Sequence, residues 1–201
     1  MNQKLKSEET QKRIIEGAFD LFYEKGYHNT SIPEIMAETK LTKGAFYHHF
    51  TGKNDIGKQV INQIVTKRIY DGMIRPLEEA QGTNVLQTLK DVFTVRIMNF
   101  TEEEKKLGCP ANNLINELGC SEQAFRAIFR KLIDSWIKVI VNLLEQGKKN
   151  GEVRADVNPS AAAVHLVTSF EGVRGIRKVY DDDTILEEYT QGVSAFIAQL
   201  K

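Results

Sequence analysis

The sequence predicts an all-α protein of about nine helices, and three observations support this fold class. Apolar residues recur three and four positions apart almost throughout the chain, as expected of amphipathic helices. No segment shows a convincing strand alternation or Asn-Gly hairpin. Helix-ending residues separate the apolar segments: the first helix, predicted over roughly residues 9–25, stops at Gly26. We expect an N-terminal three-helix domain at 1–52 and a C-terminal helical domain at 53–201.

The composition is that of an ordinary globular protein, with 41% hydrophobic and 27% charged residues. Basic and acidic residues balance at 27 each, and residues 1–60 carry nine Lys/Arg against eight Asp/Glu. Any nucleic-acid binding must therefore depend on where the cations lie rather than on net charge. No apolar run approaches the ~20 residues of a membrane span, and the first ten residues lack a signal-peptide pattern. We expect a cytoplasmic protein without a membrane partner.

Nothing in the sequence points to a metal site, a cofactor or an enzyme. Cys109 and Cys120 are eleven residues apart, which is neither a CxxC pair nor zinc-ligand spacing. No Ser-His-Asp order, phosphate loop, HExxH motif or pair of catalytic carboxylates occurs. We therefore expect a binding protein that uses no cofactor.

Two short helices joined by a tight turn follow the first predicted helix. Ser31 opens one of them, and Thr42 is a good N-cap for the other, residues 43–50. Lys40 and Leu41 make the turn, where a positive φ at Lys40 would cost roughly 1 kcal/mol. This pattern predicts a helix-turn-helix, whose second helix can enter the major groove of DNA.

The outer face of the predicted recognition helix suits contact with DNA. Phe46 and Phe50 are four residues apart and should anchor the helix to the core, whereas His49 suits packing as well as DNA contact. Lys43 can reach a phosphate or a guanine edge, while hydroxyl and imidazole groups nearby can donate to phosphates. The residues predicted to bind DNA are Thr30, Ser31, Thr42, Lys43, Gly44, Ala45, Tyr47, His48 and Lys53.

These residues resemble the signature of the TetR/AcrR family of regulators. That signature is a Gly-Tyr, a Thr-Ser helix start and a Lys-Gly-x-x-Tyr-x-His-Phe recognition helix. Here it reads Gly26-Tyr27, Thr30-Ser31 and KGAFYHHF over residues 43–50. The motif lies within the first fifty residues, whereas the other three quarters of the chain resemble the family only in helix count and length. The turn departs from the family, because Lys40 stands where Gly is usual.

The resemblance implies a ligand-responsive DNA-binding transcriptional regulator, expected to be a repressor. It implies a homodimer that binds a palindromic double-stranded DNA operator and is released by a small-molecule effector. Two recognition helices must lie ~34–36 Å apart to enter successive major grooves. The alternative is a protein-interaction module that has reused the fold; it would tolerate loss of Lys43, Tyr47 and Lys53.

Six helices are predicted after the helix-turn-helix. They begin near Lys53, Thr83, Cys109-Pro110, Ser121, Pro159 and Thr184. Pro76 must kink or end the first of these helices. The segment 136–144 is apolar on nearly every side, so it is expected at the centre of the C-terminal domain.

The last two helices are the expected dimer interface, on the strength of the resemblance. Gly172 and Gly175 would allow close approach of two backbones, and the last helix carries an apolar stripe. The stripe consists of Val193, Phe196, Ile197 and Leu200. The alternative is that these residues pack within one chain.

An effector cavity is expected among aromatic residues of the C-terminal domain, with His165 as a polar contact. The candidates are Phe93, Met98, Phe100, Phe125, Phe129, Trp136 and Phe170, together with Cys109. Because aromatic residues at helical spacing also pack helices together, plain core is the alternative.

Cys109 is the basis of a second hypothesis, in which a cysteine thiol detects the signal that releases the regulator from DNA. It precedes Pro110, which favours the first position of a helix, so its thiol should be the N-cap. Free N–H groups there, with Lys105 and Lys106 nearby, would stabilise a thiolate. A Gly-Cys at this point also resembles family members that sense oxidants or electrophiles, so a thiol-based repressor is possible. The alternative is a buried thiol whose pKa is raised.

Overall fold

The computed structural model describes residues 2–80, 84–120 and 123–201, and the secondary structure of these residues is entirely helical. The helices are α1 (Asn2–Lys25), α2 (Ile32–Thr39), α3 (Lys43–His49), α4 (53–79), α5 (85–98), α6 (Glu102–Leu107), α7 (Pro110–Leu118), α8 (Gln123–Lys149), α9 (Pro159–Ile176) and α10 (Thr184–Ala198). The all-α prediction is confirmed. The predicted helix starts at Thr83 and Ser121 lie outside the described residues.

Two helical segments differ from the prediction. α1 begins at Asn2 rather than near residue 9, because its first turns are polar and lack the apolar stripe on which the prediction relied. Lys4 and Glu8 form an exposed i,i+4 ion pair there. α6 was not predicted at all, although Thr101 and Glu104 form a capping box that starts it.

The described residues divide into two compact units. Unit 1 comprises the chain up to Arg68 together with Asn113–Phe129, and unit 2 comprises Ile69–Asn112 with Arg130–Lys201. Unit 1 therefore contains more than the predicted N-terminal domain at 1–52.

Unit 1 is built on the apolar ridge of α1. Ile14 and Ala18 are fully buried and Phe22 nearly so, and α1 packs against α2, α3 and the first part of α4. The Arg13 guanidinium donates a hydrogen bond to the Thr39 carbonyl oxygen (2.7 Å) at the end of α2. Burial of this ridge and the fixed end of α2 hold the helix-turn-helix in place.

The ends of the short helices are capped as the sequence predicts. Gly26 has φ +88° after α1, and Ser31 caps α2 through a capping box with Glu34. Lys40 takes the left-handed conformation (φ 54°) that the turn requires. The Thr42 hydroxyl accepts a hydrogen bond from the Ala45 N–H (3.2 Å) and so caps α3.

α4 continues through Pro76 and ends three residues further on, at Glu79. Two wide π-helical turns, Ile61–Val65 and Tyr70–Ile74, interrupt its regular winding. The second turn ends two residues before Pro76, and it widens the part of the helix against which the proline ring would otherwise clash.

The wide turns also explain the burial pattern of α4. Its buried positions recur every fourth residue, at Gly57, Ile61, Val65, Ile69, Met73 and Leu77. In a regular α-helix a period of four drifts by about 40° per step, or roughly 200° over this stretch. Wider turns hold more residues each and keep these positions close to one face. α5 shows the same period at buried Val85, Leu89, Phe93 and Ile97, around a wide turn at Asp91–Val95.

The core of unit 2 forms where α5, α9 and α10 pack together. Trp136 of α8 is fully buried, as are Ile140 and Leu144 one and two turns further on. Lys138 and Asn142, on the other side of α8, are exposed. The predicted buried centre at 136–144 is therefore buried along one face. Over the described part of the chain, we find no helix with the length and apolarity that spanning a membrane requires.

Candidate nucleic-acid interface and effector site

Five of the nine predicted DNA-binding residues line one open recess of unit 1. The recess has a volume of about 460 Å³. Its walls are formed by His28, Asn29, Thr30, Ser31, Ile32, Pro33, Lys43, Tyr47 and Lys53. Two ammonium groups, a phenol and a serine hydroxyl thus border a single opening, as suits a phosphate group of DNA.

α3 presents a polar and small-residue face to solvent. Phe46 and Phe50 are buried and their rings pack together at 5.3 Å, which anchors the helix. Tyr47 is 59% exposed. Thr42, Lys43, Gly44 and His48 are also exposed, and Ala45 is half-buried. The outer face of this helix is therefore accessible to a partner.

Thr30 does not offer its hydroxyl to DNA, contrary to the prediction. The residue is buried, and its hydroxyl lies 2.9 Å from the Gly26 carbonyl oxygen and 3.3 Å from that of Leu21. It holds the α1–α2 turn instead. Ser31 is exposed, and its hydroxyl donates to the Glu34 carboxylate (2.8 Å).

The Lys53 ammonium is already engaged within unit 1. It donates to the His28 carbonyl oxygen (3.3 Å) and lies 4.4 Å from the centre of the Tyr27 ring. Burial lowers the pKa of Lys53, while Glu117 and Glu34 act in the opposite direction. The position of the Lys53 ammonium is therefore fixed by its contacts with the α1–α2 turn.

His49, which suited packing or contact, is half-buried beside His48, with ring centres 4.8 Å apart. Partial burial, and to a lesser extent the neighbouring His48, lower the pKa of His49. Both effects favour an uncharged imidazole, which suits packing better than a phosphate contact.

Unit 1 also contains two contacts that the sequence did not predict. Glu117 of α7 and Phe125 of α8 both contact Tyr27 in the α1–α2 turn. They lie some 90 residues from it in the chain, and no local pattern connects them.

In unit 2, three of the predicted effector residues form a packed aromatic cluster. Phe93 and Trp136 stack at 6.2 Å, and Phe170 meets both rings edge-on at 5.7 and 5.8 Å. All three are buried. The half-buried Phe100 lies beside Phe170, under the Arg174 guanidinium at 4.2 Å. In this state the cluster is core, which was the alternative interpretation.

Other predicted effector residues lie elsewhere. Phe125 and Phe129 belong to unit 1, so they are not part of the unit 2 cluster. His165 is exposed and packs against Phe196 at 4.3 Å, so the prediction that it points into an apolar cavity is wrong. Met98 is half-buried.

Two recesses of unit 2 lie apart from the aromatic cluster or at its edge. A small cavity of about 10 Å³ lies between Phe100 and Arg174, which is roughly room for one water molecule. A surface groove of about 490 Å³ runs between α4 and α8. It is lined by Tyr70, Ile74, Leu77, Glu78, Ser135, Lys138, Val139, Asn142, Leu143 and Gln146, none of which was predicted as an effector contact.

Cys109 lies directly before α7, as predicted, and the Asn112 backbone N–H stabilises its sulfur. Burial outweighs this effect and, with the nearby Glu171 carboxyl, raises the pKa of the Cys109 thiol to about 12. Lys105, expected nearby, is paired with Asp183 instead (2.5 Å). Cys109 is therefore a neutral buried thiol, which contradicts the thiolate hypothesis.

The predicted dimer residues are divided between core and surface. Val193, Ile197 and Leu200 are buried within the single chain, so they are not available to a partner as predicted. Gly175 and Phe196 are half-buried. An exposed stripe instead follows every fourth residue of α9, at Val164, Thr168, Gly172 and Ile176.

Two family models match the chain. One is described as "Bacterial regulatory proteins, tetR family" and matches residues 14–60, and the other as "Tetracyclin repressor-like, C-terminal domain", matching residues 85–193. The chain is 26% identical to the HTH-type transcriptional repressor DhaR of Mycobacterium sp. (strain GP1), over 80% of this chain and 78% of that protein. It is also 26% identical to the transcriptional regulator AcuR of Cereibacter sphaeroides, over 79% of this chain and 72% of that one.

Among solved structures, a TetR transcriptional regulator from Chloroflexus aurantiacus matches with a TM-score of 0.83 at 26% identity. The match covers 96% of both chains. The fold is thus shared along nearly the whole chain, beyond the recognition motif.

The two thiols should differ sharply in reactivity. Cys120 is exposed, whereas Cys109 is buried with a pKa raised to about 12, so at pH 8 Cys109 is almost wholly protonated. We expect an aromatic disulfide reagent to modify one thiol per folded chain quickly, and the other only after unfolding. A Cys120→Ser variant should show almost no fast reaction. Rapid modification in that variant would restore Cys109 as a sensor candidate.

Proposed function

The chain belongs to the TetR family of bacterial regulatory proteins, and on this premise we propose that it is a repressor that binds a palindromic operator as a homodimer. It is released when a small-molecule effector binds unit 2. The observation that carries this proposal is the exposed face of α3 beside the recess lined by Lys43, Tyr47 and Lys53. The ammonium groups and the phenol at the opening of the recess suit contact with the DNA backbone. The small residues on α3 suit entry of this helix into a DNA groove.

Specificity and affinity should come from different parts of this surface. Gly44 is exposed and half-buried Ala45 lies beside it, so the α3 backbone can approach base edges. Lys43 and Tyr47 provide a cation and a donor that suit phosphates. Because unit 1 has little excess charge, we propose that these few contacts, doubled by a two-fold axis, supply the affinity.

Changes to the phosphate donors should weaken binding to all DNA. The Lys43→Ala, Tyr47→Phe double variant is expected to raise the dissociation constant for the operator about tenfold and to reduce its salt dependence. Fluorescence anisotropy at several salt concentrations measures both, with an operator selected from genomic fragments. A reporter gene behind that operator should be repressed by the wild type and less so by the variant.

Lys12→Ala is the matched control, since Lys12 is exposed on α1 and pairs with Glu16 (3.7 Å) away from α3. Operator affinity should not change in this variant. If the double variant bound the operator as tightly as the control, the assignment of α3 as the DNA-reading helix would fail.

We propose that the effector enters at the aromatic cluster of Phe93, Trp136 and Phe170 by parting these rings. Two buried polar atoms, Nε1 of Trp136 in the cluster and Oε2 of Glu171, the residue after Phe170, have no hydrogen-bond partner among the described protein groups. Such atoms cost about 1–3 kcal/mol each, which a ligand could recover. Burial raises the pKa of Glu171 and disfavours its charged form. These features suit a compact, uncharged molecule with a hydrogen-bond acceptor for the indole N–H.

Removing the indole donor should weaken the response to the effector. Trp136→Phe keeps an aromatic ring but loses the N–H, so we expect the effector concentration for half-release of DNA to rise five- to tenfold. The measurement is release of labelled operator by compounds first found with the wild type. Tyr70→Phe, in the groove between α4 and α8, is the control. A response lost in Tyr70→Phe but normal in Trp136→Phe would move the effector to that groove.

We propose that the dimer forms through the exposed stripe of α9, namely Val164, Thr168, Gly172 and Ile176. Val164 and Ile176 are 43% and 51% exposed, and a Cβ added at Gly172 meets no atom within 4 Å. Small residues flanked by branched ones allow two helices to pack closely along one ridge. A two-fold axis would then bring the same stripe of each subunit together.

A charge placed in this stripe should separate the subunits. Gly172→Glu is expected to convert the dimer to a folded monomer, because position 172 is exposed and an added Cβ meets no atom of the chain, whereas the new charge would meet its copy in a dimer. Sedimentation velocity measures the mass, and circular dichroism checks folding. Asn62→Glu, exposed on α4, should remain dimeric. A dimeric Gly172→Glu variant would place the interface elsewhere.

A further inference from the structure

A carboxylate far along the chain is bonded to the turn between α1 and α2. The Glu117 carboxylate accepts hydrogen bonds from two consecutive backbone N–H groups, those of Tyr27 (3.0 Å) and His28 (2.9 Å). The His28 ring nitrogen Nε2 lies 3.2 Å from the Glu117 carbonyl oxygen. Hydrogen bonds from backbone N–H groups to an ionised acceptor are among the stronger ones in proteins. Glu117 therefore fixes the course of this turn.

The packing of Tyr27 restricts the conformation of this turn. Tyr27 is buried, its hydroxyl donates to Asn54 Oδ1 (2.7 Å), and its ring meets that of Phe125 edge-on at 5.9 Å. Gly57 lies under both rings, because an added Cβ would come within 2.9 Å of Tyr27 and 3.2 Å of Phe125. The ring is thus held by packing and the backbone by Glu117.

The same turn forms one wall of the DNA recess. His28 is part of that wall, and its carbonyl oxygen accepts the hydrogen bond from Lys53 (3.3 Å). The Lys53 ammonium also lies over the Tyr27 ring, and the Glu117 charge favours its protonated form. A movement of the Tyr27–His28 backbone would therefore displace Lys53 and the start of the segment that leads to Ser31.

We infer that Glu117 is a positioning residue for operator recognition, and this rests on the proposed DNA-binding function. Its carboxylate holds the α1–α2 turn and Lys53 in the arrangement that meets the DNA backbone, without contacting DNA itself. A negative charge near a phosphate-binding recess opposes DNA binding in general. The presence of Glu117 is explained if its carboxylate positions the α1–α2 turn and Lys53 rather than attracting DNA.

This role predicts that the loss of Glu117 weakens binding to the operator but does not weaken binding to DNA of unrelated sequence. In Glu117→Ala the turn loses both hydrogen bonds, so the dissociation constant for the operator should rise about tenfold. Binding to DNA of unrelated sequence should stay equal or become slightly tighter, because a negative charge has been removed. The ratio of the two constants, measured by fluorescence anisotropy at one salt concentration, should thus fall at least tenfold.

Glu117→Gln separates hydrogen bonding from charge. Its amide oxygen can still accept one backbone N–H, so its operator affinity should lie between the wild type and Glu117→Ala. Glu24→Ala, an exposed glutamate of α1 in the same unit, removes one charge without touching the turn and should leave the specificity ratio unchanged. Thermal unfolding followed by circular dichroism shows which variants are folded at the assay temperature.

The possible outcomes distinguish a failure of the proposed function from a failure of the inference about Glu117. Failure of the wild-type chain to bind any selected operator would overturn the proposed function, and this inference with it. Normal operator specificity in Glu117→Ala, with the wild type binding, would overturn only the inference. So would an equal loss of operator and unrelated DNA binding in the folded Glu117→Gln variant, since that indicates general destabilisation rather than positioning.

Discussion

Burial of the Tyr27 ring is the interaction on which unit 1 depends. Its centre lies 4.9 Å from that of Phe22 at the end of α1 and 5.9 Å from that of Phe125 in α8. Its hydroxyl is bonded to Asn54 at the start of α4 (2.7 Å). One side chain therefore joins three segments that are distant in sequence, next to His28 and Lys53 of the recess that we propose binds DNA. An aromatic residue with a polar tip suits this position, because the ring is buried while the hydroxyl finds an acceptor.

Local features of unit 1 were predictable because both partners of each interaction lie within four residues of one another. Ser31 and Thr42 cap their helices, and Gly26 and Lys40 adopt positive φ angles where the turns require them. The position of Cys109 before α7 was predictable for the same reason. Its chemistry was not, because the pKa of its thiol depends on burial and on Glu171 and Arg174 of α9, more than fifty positions away.

Interactions between segments that are far apart in the chain could not be predicted from the sequence. Nothing local marks Glu117 as an acceptor for a turn 90 residues earlier. Periodicity shows which side of a helix is apolar but not what covers it. Val193 and Ile197 therefore suited a partner subunit and an intramolecular core equally well, and the structure buries them in the core. His165 was expected among apolar side chains, whereas it lies on the exposed side of α9. The motif predicted five of the nine residues that line the recess of unit 1, because those five lie within 24 positions of one another in the chain.

The wide turns of α4 and α5 have a consequence for the evolution of these helices. Each such turn accommodates one residue more than a regular turn, so it behaves as a single-residue insertion that leaves the helix unbroken. Relatives without that residue would differ by a one-residue gap inside a helix, within Ile61–Val65 or Tyr70–Ile74, rather than in a loop. Alignments that forbid gaps in helices would then pair buried positions of one protein with exposed positions of the other from that point onward.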